Sequence, residues 1–200
     1  MSGPHIAAIV LAAGRSTRMG AENKLLADIG GKPMVRVVVE AALASAARPV
    51  LVVTGHQQPQ VRAGLAGLDV SLIANPNYAS GLSGSLKAGV RAVPDECTGA
   101  LVLLGDMPKI GPENLDRLIA AFGPGAIVVP VHHGRQGNPV LWPRSCFPEL
   151  LQLEGDAGAK RLIAAHQQQV REVEMRTTGM FADVDTAEDL QQLRERKAGD

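Results

Sequence analysis

The chain has 200 residues, 46% hydrophobic and 2% aromatic, and its 20 Lys and Arg balance 20 Asp and Glu. That composition suits one globular domain, residues 1–200, with a core of Val, Leu, Ile and Ala. Balanced charge without an aromatic platform argues against nucleic acid as a partner, and the apolar runs are too short to span a membrane. No basic and then apolar leader is read at Met1–His5. Cys97 and Cys146 lack C-x-x-C spacing and read as reduced thiols of a cytoplasmic protein.

The first predicted strand, Ile6–Ala12, runs into the loop Leu11-Ala-Ala-Gly-Arg-Ser-Thr-Arg-Met-Gly20, with Lys24 shortly after it. Ala12, Ala13 and Gly14 carry little side chain, so backbone N–H groups can meet phosphate oxygens. Arg15, Arg18 and Lys24 add three positive charges, which suits a polyphosphate. The loop is not the dinucleotide fingerprint, because only Gly14 and Gly20 are present. It is not a P-loop either, because Met19 stands where the second Gly is required.

A helix is predicted over Pro33–Ala46, a strand over Pro49–Thr54, a helix over Pro59–Leu65 and a strand over Val70–Ala74. Asn75-Pro-Asn-Tyr-Ala-Ser-Gly-Leu-Ser-Gly-Ser-Leu86 then enters a helix over Ser83–Val93. Gly81 permits unusual backbone angles there, and Ser83 and Ser85 bring hydroxyls able to read the polar edge of a base. Simple N-capping by Ser83 accounts for one of the two serines.

The strand Ala100–Leu104 ends in Gly105, Asp106, Met107 and Pro108. A carboxylate at a strand end beside a phosphate loop suits Mg²⁺, which takes oxygen ligands. A helix over Pro112–Phe122 and strands over Ala126–Val131 and Val140–Trp142 follow. His132 and His133 are adjacent, lack metal-ligand spacing and are expected to face opposite ways in a strand. Gly137-Asn-Pro-Val-Leu141 and Gly155-Asp-Ala-Gly-Ala-Lys-Arg161 are Gly-marked loops. Lys160 and Arg161 open the helix Gly158–His166, where cations oppose the dipole and make more sense facing an anion. After the strand Val170–Met175, Asp183 and Asp185 fall on one side of an extended segment. Asp185 then either partners Asp106 at the metal or serves the helix Thr186–Arg196. The βαβα alternation predicts an α/β fold with a mostly parallel sheet covered on both faces. Ligands of such sheets bind at carboxyl strand ends, which puts Ala12–Gly14, Gly55 and Asp106 on one rim.

The first loop with Lys24 resembles the signature of the nucleotidyltransferases with a MobA-like fold. Adding Gly81-Leu-Ser-x-Ser-Leu86, Leu104-Gly-Asp-Met-Pro108, Gly137-Asn-Pro-Val-Leu141, Gly155-Asp-x-Gly-Ala159 and Asp183-Val-Asp-Thr-x-Glu-Asp189, the chain resembles the molybdenum cofactor cytidylyltransferases over nearly its full length. Ala187 stands where that family commonly has Pro. The resemblance implies a Rossmann-like three-layer αβα sandwich of the nucleotide-diphospho-sugar transferase type. It implies triphosphate binding by Leu11, Ala12, Ala13, Gly14, Arg15 and Lys24, and Mg²⁺ held by Asp106; Asp185 stays the candidate second ligand beside its reading as a helix-terminus acid. Asn75, Gly81, Ser83 and Ser85 would lie near the base, and Asn138 and Asp156 would face the acceptor. CTP and a molybdenum-pterin phosphate are the implied substrates, with a receiving molybdoenzyme or its chaperone as a possible partner. The rival readings are GTP as nucleotide, a sugar or isoprenoid phosphate as acceptor, and a non-catalytic cofactor carrier. A Rossmann-type oxidoreductase is disfavoured by the missing G-x-G-x-x-G.

Overall fold

The computed structural model describes residues 4–15, 23–155, 158–181 and 188–191. Eight strands among them form one sheet: β1 Ile6–Ala12, β2 Val50–Thr54, β3 Ser71–Ala74, β4 Gly99–Leu104, β5 Ile127–His132, β6 Arg135–Gln136, β7 Val140–Pro143 and β8 Val170–Glu174. The order is β3-β2-β1-β4-β7-β5, and β5 also pairs with β6 and β8. All neighbours run parallel except β7, which lies antiparallel between β4 and β5, and β6, which is antiparallel to β5. Among the described residues six named helices accompany the sheet, α1 Met34–Ala44, α2 Gln58–Gly64, α3 Leu82–Arg91, α4 Pro112–Ala120, α5 Phe147–Leu150 and α6 Gly158–Ala165, and residues 188–191 are also helical.

Two apolar layers form because strand side chains alternate. Ile6, Ala8, Val10 and Ala12 of β1 pack with Val35, Val38 and Val39 of α1, Val61 of α2 and Leu115 and Leu118 of α4. Ala7, Ile9 and Leu11 face the opposite layer, with Leu86 and Val90 of α3, Leu150 of α5 and Leu162 of α6. All seven residues of β1 are therefore buried, which explains its unbroken apolar run. The result is a three-layer αβα sandwich of the nucleotide-diphospho-sugar transferase type. The outer strand β8 is half-buried at best, and its Arg171, Glu172 and Glu174 discourage pairing with another chain.

Helix α3 crosses β1 and β2 at close range because Gly89 has no side chain. A Cβ there would overlap the Ile9 side chain and come within 3.2 Å of Val53 Cγ2. Gly89→Ala is therefore expected to lower stability by about 1–3 kcal/mol, although Ala is the better helix former. Thermal melting of the purified variant checks this, and an equal or higher Tm would mean that Ile9 has room to move.

Each predicted strand is present, and the helix limits differ by one or two residues. Three differences are informative. The helix expected over Thr186–Arg196 is seen only at residues 188–191, and its other positions lie outside the described residues. The helix expected to start at Ser83 begins at Leu82, with Gly81 in the cap position, so Ser83 is not the N-cap. His132 and His133 do not face opposite ways. His133 takes φ 50° and Gly134 φ 74°, which closes a two-residue hairpin between β5 and β6. The two imidazoles then lie 4.2 Å apart. Cys97 and Cys146 are free and buried, and burial pushes both thiols above their ordinary pKa. Among the described residues no helix is long and apolar enough to cross a membrane.

Candidate active site

Strand order reverses around β1: the chain steps outward to β2 and β3, then returns through α3 to β4 on the other side. Such a switch point leaves a crevice at the carboxyl ends of β1 and β4. The register aligns Ala12 with Thr54 and Leu11 with Leu104. Gly14, Gly55 and Asp106 thus share one rim, as the sequence predicts. Ala12 and Ala13 are buried, Gly14 and Arg15 are exposed, and among the described residues no heavy atom lies within 4 Å of where a Gly14 side chain would begin. The backbone of this loop is open to a ligand.

Lys24 reaches the crevice through local capping. Asn23 Oδ1 accepts from Leu25 N at 3.1 Å, which starts the short 3₁₀ turn Lys24–Leu26, and buried Leu25 anchors it. Gly105 brings β4 close to both segments. Its N–H donates to Leu11 C=O at 2.9 Å, and a Cβ on it would lie 2.9 Å from that oxygen and 3.3 Å from Leu25 Cδ2. Asp106 follows directly. Its Oδ2 accepts a charged hydrogen bond from Lys24 Nζ at 2.7 Å, with the side chains 14% and 19% exposed. Asp106 Oδ1 is buried and has no hydrogen-bond partner among the described residues. A buried carboxylate oxygen left in that state is costly, and a hard cation satisfies it. Among the described residues no group of three or more His, Cys, Asp or Glu side chains converges. Asp185, Asp183 and Asp156 lie outside the described residues, as do Arg18 and Gly20.

The loop after β3 stands on the opposite side of Ala13 from Asp106. Asn75 is buried; its N–H donates to Thr54 C=O at 2.8 Å and its Nδ2 donates to Ser85 Oγ at 3.1 Å. Its Oδ1 accepts from Asn77 N at 3.0 Å. Ser85 is only 4% exposed, so its hydroxyl fixes Asn75 in place. Gly81 has φ 104°, a backbone angle that favours glycine, and it aims the start of α3 at the rim. Ser83 is half-buried and lines a cleft of about 650 Å³ with Asn75, Asn77, Lys87, Glu154 and Gly155. The loop that leads to Asp156 therefore shares a cleft with the loop after β3, although Glu154 and Ser83 are far apart in the sequence.

Asn138 lies beyond Asp106, half-buried at the start of β7. Its N–H donates to Met180 C=O at 3.2 Å, and Gly137 is pressed against Met180 and Phe181. Nearby, His132 Nδ1 lies 2.8 Å from Met175 C=O. A carbonyl only accepts, so this ring carries its proton on Nδ1. Lys160 and Arg161 are exposed on α6. The structure thus puts Gly14 and the Lys24–Asp106 pair at the carboxyl ends of β1 and β4, with exposed Arg15 following Gly14, the Asn75–Ser85 loop on one flank and Asn138 on the other. Sequence reasoning missed Tyr78, which packs on Gly55 between the first two loops. Its signal was its place as the sole tyrosine of the chain, in the middle of a polar loop.

Comparison with known proteins agrees with this geometry. Residues 8–170 match the MobA-like NTP transferase domain. The chain is 30% identical to the purine catabolism protein PucB of Bacillus subtilis, over 97% of this chain and 98% of that protein. It is 29% identical to the molybdenum cofactor cytidylyltransferase of Escherichia coli, over 94% and 95% of the two chains. A solved structure of Rv0371C from Mycobacterium tuberculosis in complex with manganese superposes with a TM-score of 0.79 at 30% identity, covering 96% of this chain and 98% of that one. From the carboxyl rim of β1 to the Asp106 carboxylate, the chain belongs to the MobA-like NTP transferase family.

Proposed function

We propose that this chain transfers CMP from CTP to the phosphate of a molybdenum-bearing pterin, releasing pyrophosphate, as one nucleotidyltransferase domain of the cytoplasm. The observation that carries the reading is the Lys24–Asp106 pair at 2.7 Å on the rim beside the open Gly14 backbone. A non-catalytic carrier has little need of a carboxylate with one buried oxygen that has no hydrogen-bond partner among the described residues. The full-length similarity to a cytidylyltransferase supports the choice of CTP and of the acceptor.

The reaction needs no protein nucleophile. An oxygen of the acceptor phosphate attacks the α-phosphorus, a new P–O–P bond forms, and the bond to the leaving pyrophosphate breaks in line. Backbone N–H groups of Ala12–Gly14 hold and orient the triphosphate. Arg15 and Lys24 offset charge on the moving and leaving groups. Asp106, with Asp185 as its proposed partner, would hold Mg²⁺, which would supply positive charge to offset that of the triphosphate. The manganese complex of the mycobacterial relative supports a divalent cation. Asn75, held by Ser85, shapes the base side together with Gly81 and Ser83, while Asn138 and Asp156 face the acceptor. Transfer of the product to a molybdoenzyme or its chaperone belongs to the same reading.

A site with polar groups built for the cytosine edge leaves them unpaired against a purine, which costs about 1–3 kcal/mol per buried group. CTP is therefore expected to exceed GTP and ATP in kcat/KM with a molybdenum-bearing pterin phosphate as acceptor. Steady-state pyrophosphate release with all four NTPs checks this. A GTP preference overturns the choice of base, and turnover only with a sugar or isoprenoid phosphate overturns the choice of acceptor.

A further inference from the structure

A nucleotide that lays its triphosphate on Ala12–Gly14 and its base against the loop after β3 must span two separate chain segments. Their separation decides which base fits. Among the described residues they come together over Gly55. At the end of β2, a Cβ on Gly55 would lie 2.5 Å from Tyr78 Cβ, 2.8 Å from Tyr78 Cγ and 2.9 Å from Ala13 Cβ. Tyr78 and Ala13 both occupy the space that a side chain on Gly55 would need. His56 extends this contact: its N–H donates to Ala13 C=O at 3.2 Å, and its ring lies 6.0 Å from the Tyr78 ring, tilted by 50°.

Tyr78 is half-buried and packs on the apolar cluster under α3. It opens the 3₁₀ turn Tyr78–Ser80, which hands the chain to Gly81 at φ 104°. Among the described residues the loop has two anchors of different kinds. The Asn75–Ser85 hydrogen bond fixes its root to α3, while Tyr78 seats its tip on Gly55, beside Ala13 of the phosphate loop. The second anchor bears on the distance from triphosphate to base.

We propose that Tyr78, seated on Gly55 against Ala13, is the positioning residue that sets the width of the base slot and hence the discrimination among nucleoside triphosphates. This rests on the reading of Ala12–Gly14 as the triphosphate loop and of Asn75–Ser85 as the base loop. The ring acts by its shape. Removing it frees the loop to adjust to bases of either size, and discrimination falls.

The test is direct binding of CTP, UTP, GTP and ATP, each with Mg²⁺ and no acceptor, to the full chain by calorimetry. Tyr78→Phe keeps the ratio of Kd between weakest and tightest nucleotide. Tyr78→Ala compresses that ratio about tenfold with little change in Tm, and Gly55→Ala does the same by lifting the ring. An unchanged ratio in Tyr78→Ala overturns the proposal, as does an equal loss in Tyr78→Phe or a wild-type chain that binds all four alike. Should Tyr78→Ala fail to fold, Tyr78→Leu keeps apolar bulk without the flat ring and carries the same comparison. A wild-type preference for GTP overturns the cytidylyl reading alone, because the ratio still reports on Tyr78. Absence of binding by every triphosphate overturns both.

Discussion

Asp106→Asn is expected to slow pyrophosphate release about a thousandfold while leaving the melting temperature nearly unchanged. The substitution keeps the size of the side chain and one oxygen for Lys24 Nζ, now a neutral acceptor 2.7 Å away in the native geometry. What it removes is the charge that draws a divalent cation to the buried Oδ1. Stability is little affected because Asn keeps an oxygen that accepts from Lys24 Nζ, and Oδ1 has no hydrogen-bond partner to lose among the described residues. Rates measured across a range of Mg²⁺ separate the two contributions. Recovery of the wild-type rate at high Mg²⁺ would mean that Asp106 only improves metal affinity, and a rate near wild type at ordinary Mg²⁺ would remove it from the site.

Lys24→Ala is expected to weaken nucleotide binding and slow turnover about a hundredfold. The flexible Lys stem lets one ammonium serve two partners in turn: the Asp106 carboxylate before the substrate arrives, and phosphate oxygens afterwards. Losing Lys24 also leaves Asp106 without a cation beside Oδ2, so the two substitutions act on one unit. The double variant should therefore be little worse than Asp106→Asn alone. Single-turnover kinetics of the two single variants and the double one check this. Fully multiplicative losses would mean that Lys24 and Asp106 work on separate steps.

The part of this arrangement nearest in sequence was the most legible. Ile6–Ala12, the small residues after it and Asp106 at the end of another apolar run place a phosphate loop and a carboxylate on one rim by the rule for parallel sheets. Direction of pairing was not legible. Val140–Trp142 reads as a strand, but nothing in three apolar residues tells that they run antiparallel between β4 and β5. Ser85 shows a local rule applied to the wrong neighbours. A hydroxyl near a helix start invites a ligand, yet the periodicity of Ser85, Leu86, Gly89 and Val90 puts all four on the buried face of α3. The His133–Gly134 turn was likewise written in the sequence, since Gly after a residue tolerant of positive φ marks a tight hairpin. The proposed partner Asp185 lies outside the described residues, so its place beside Asp106 rests on sequence alone.

The reversed strand β7 has a consequence for how such a chain diversifies. Every residue at the centre of the crevice, from Gly14 through Lys24 to Asp106, precedes Ile110, whereas Asn138, His132 and α6 all come later. Within the sheet the two stretches meet where Gly99–Val102 of β4 pairs with Val140–Pro143 of β7, through main-chain hydrogen bonds that any antiparallel strand can supply, while Leu115, Leu118, Leu150 and Leu162 tie the later stretch into both apolar layers. Substitutions and insertions in the loops beyond that seam, rather than in those packed faces, can therefore accumulate while Gly14, Lys24 and Asp106 stay put. An architecture joined in this way lets one activation chemistry be inherited intact as the molecule it serves is replaced.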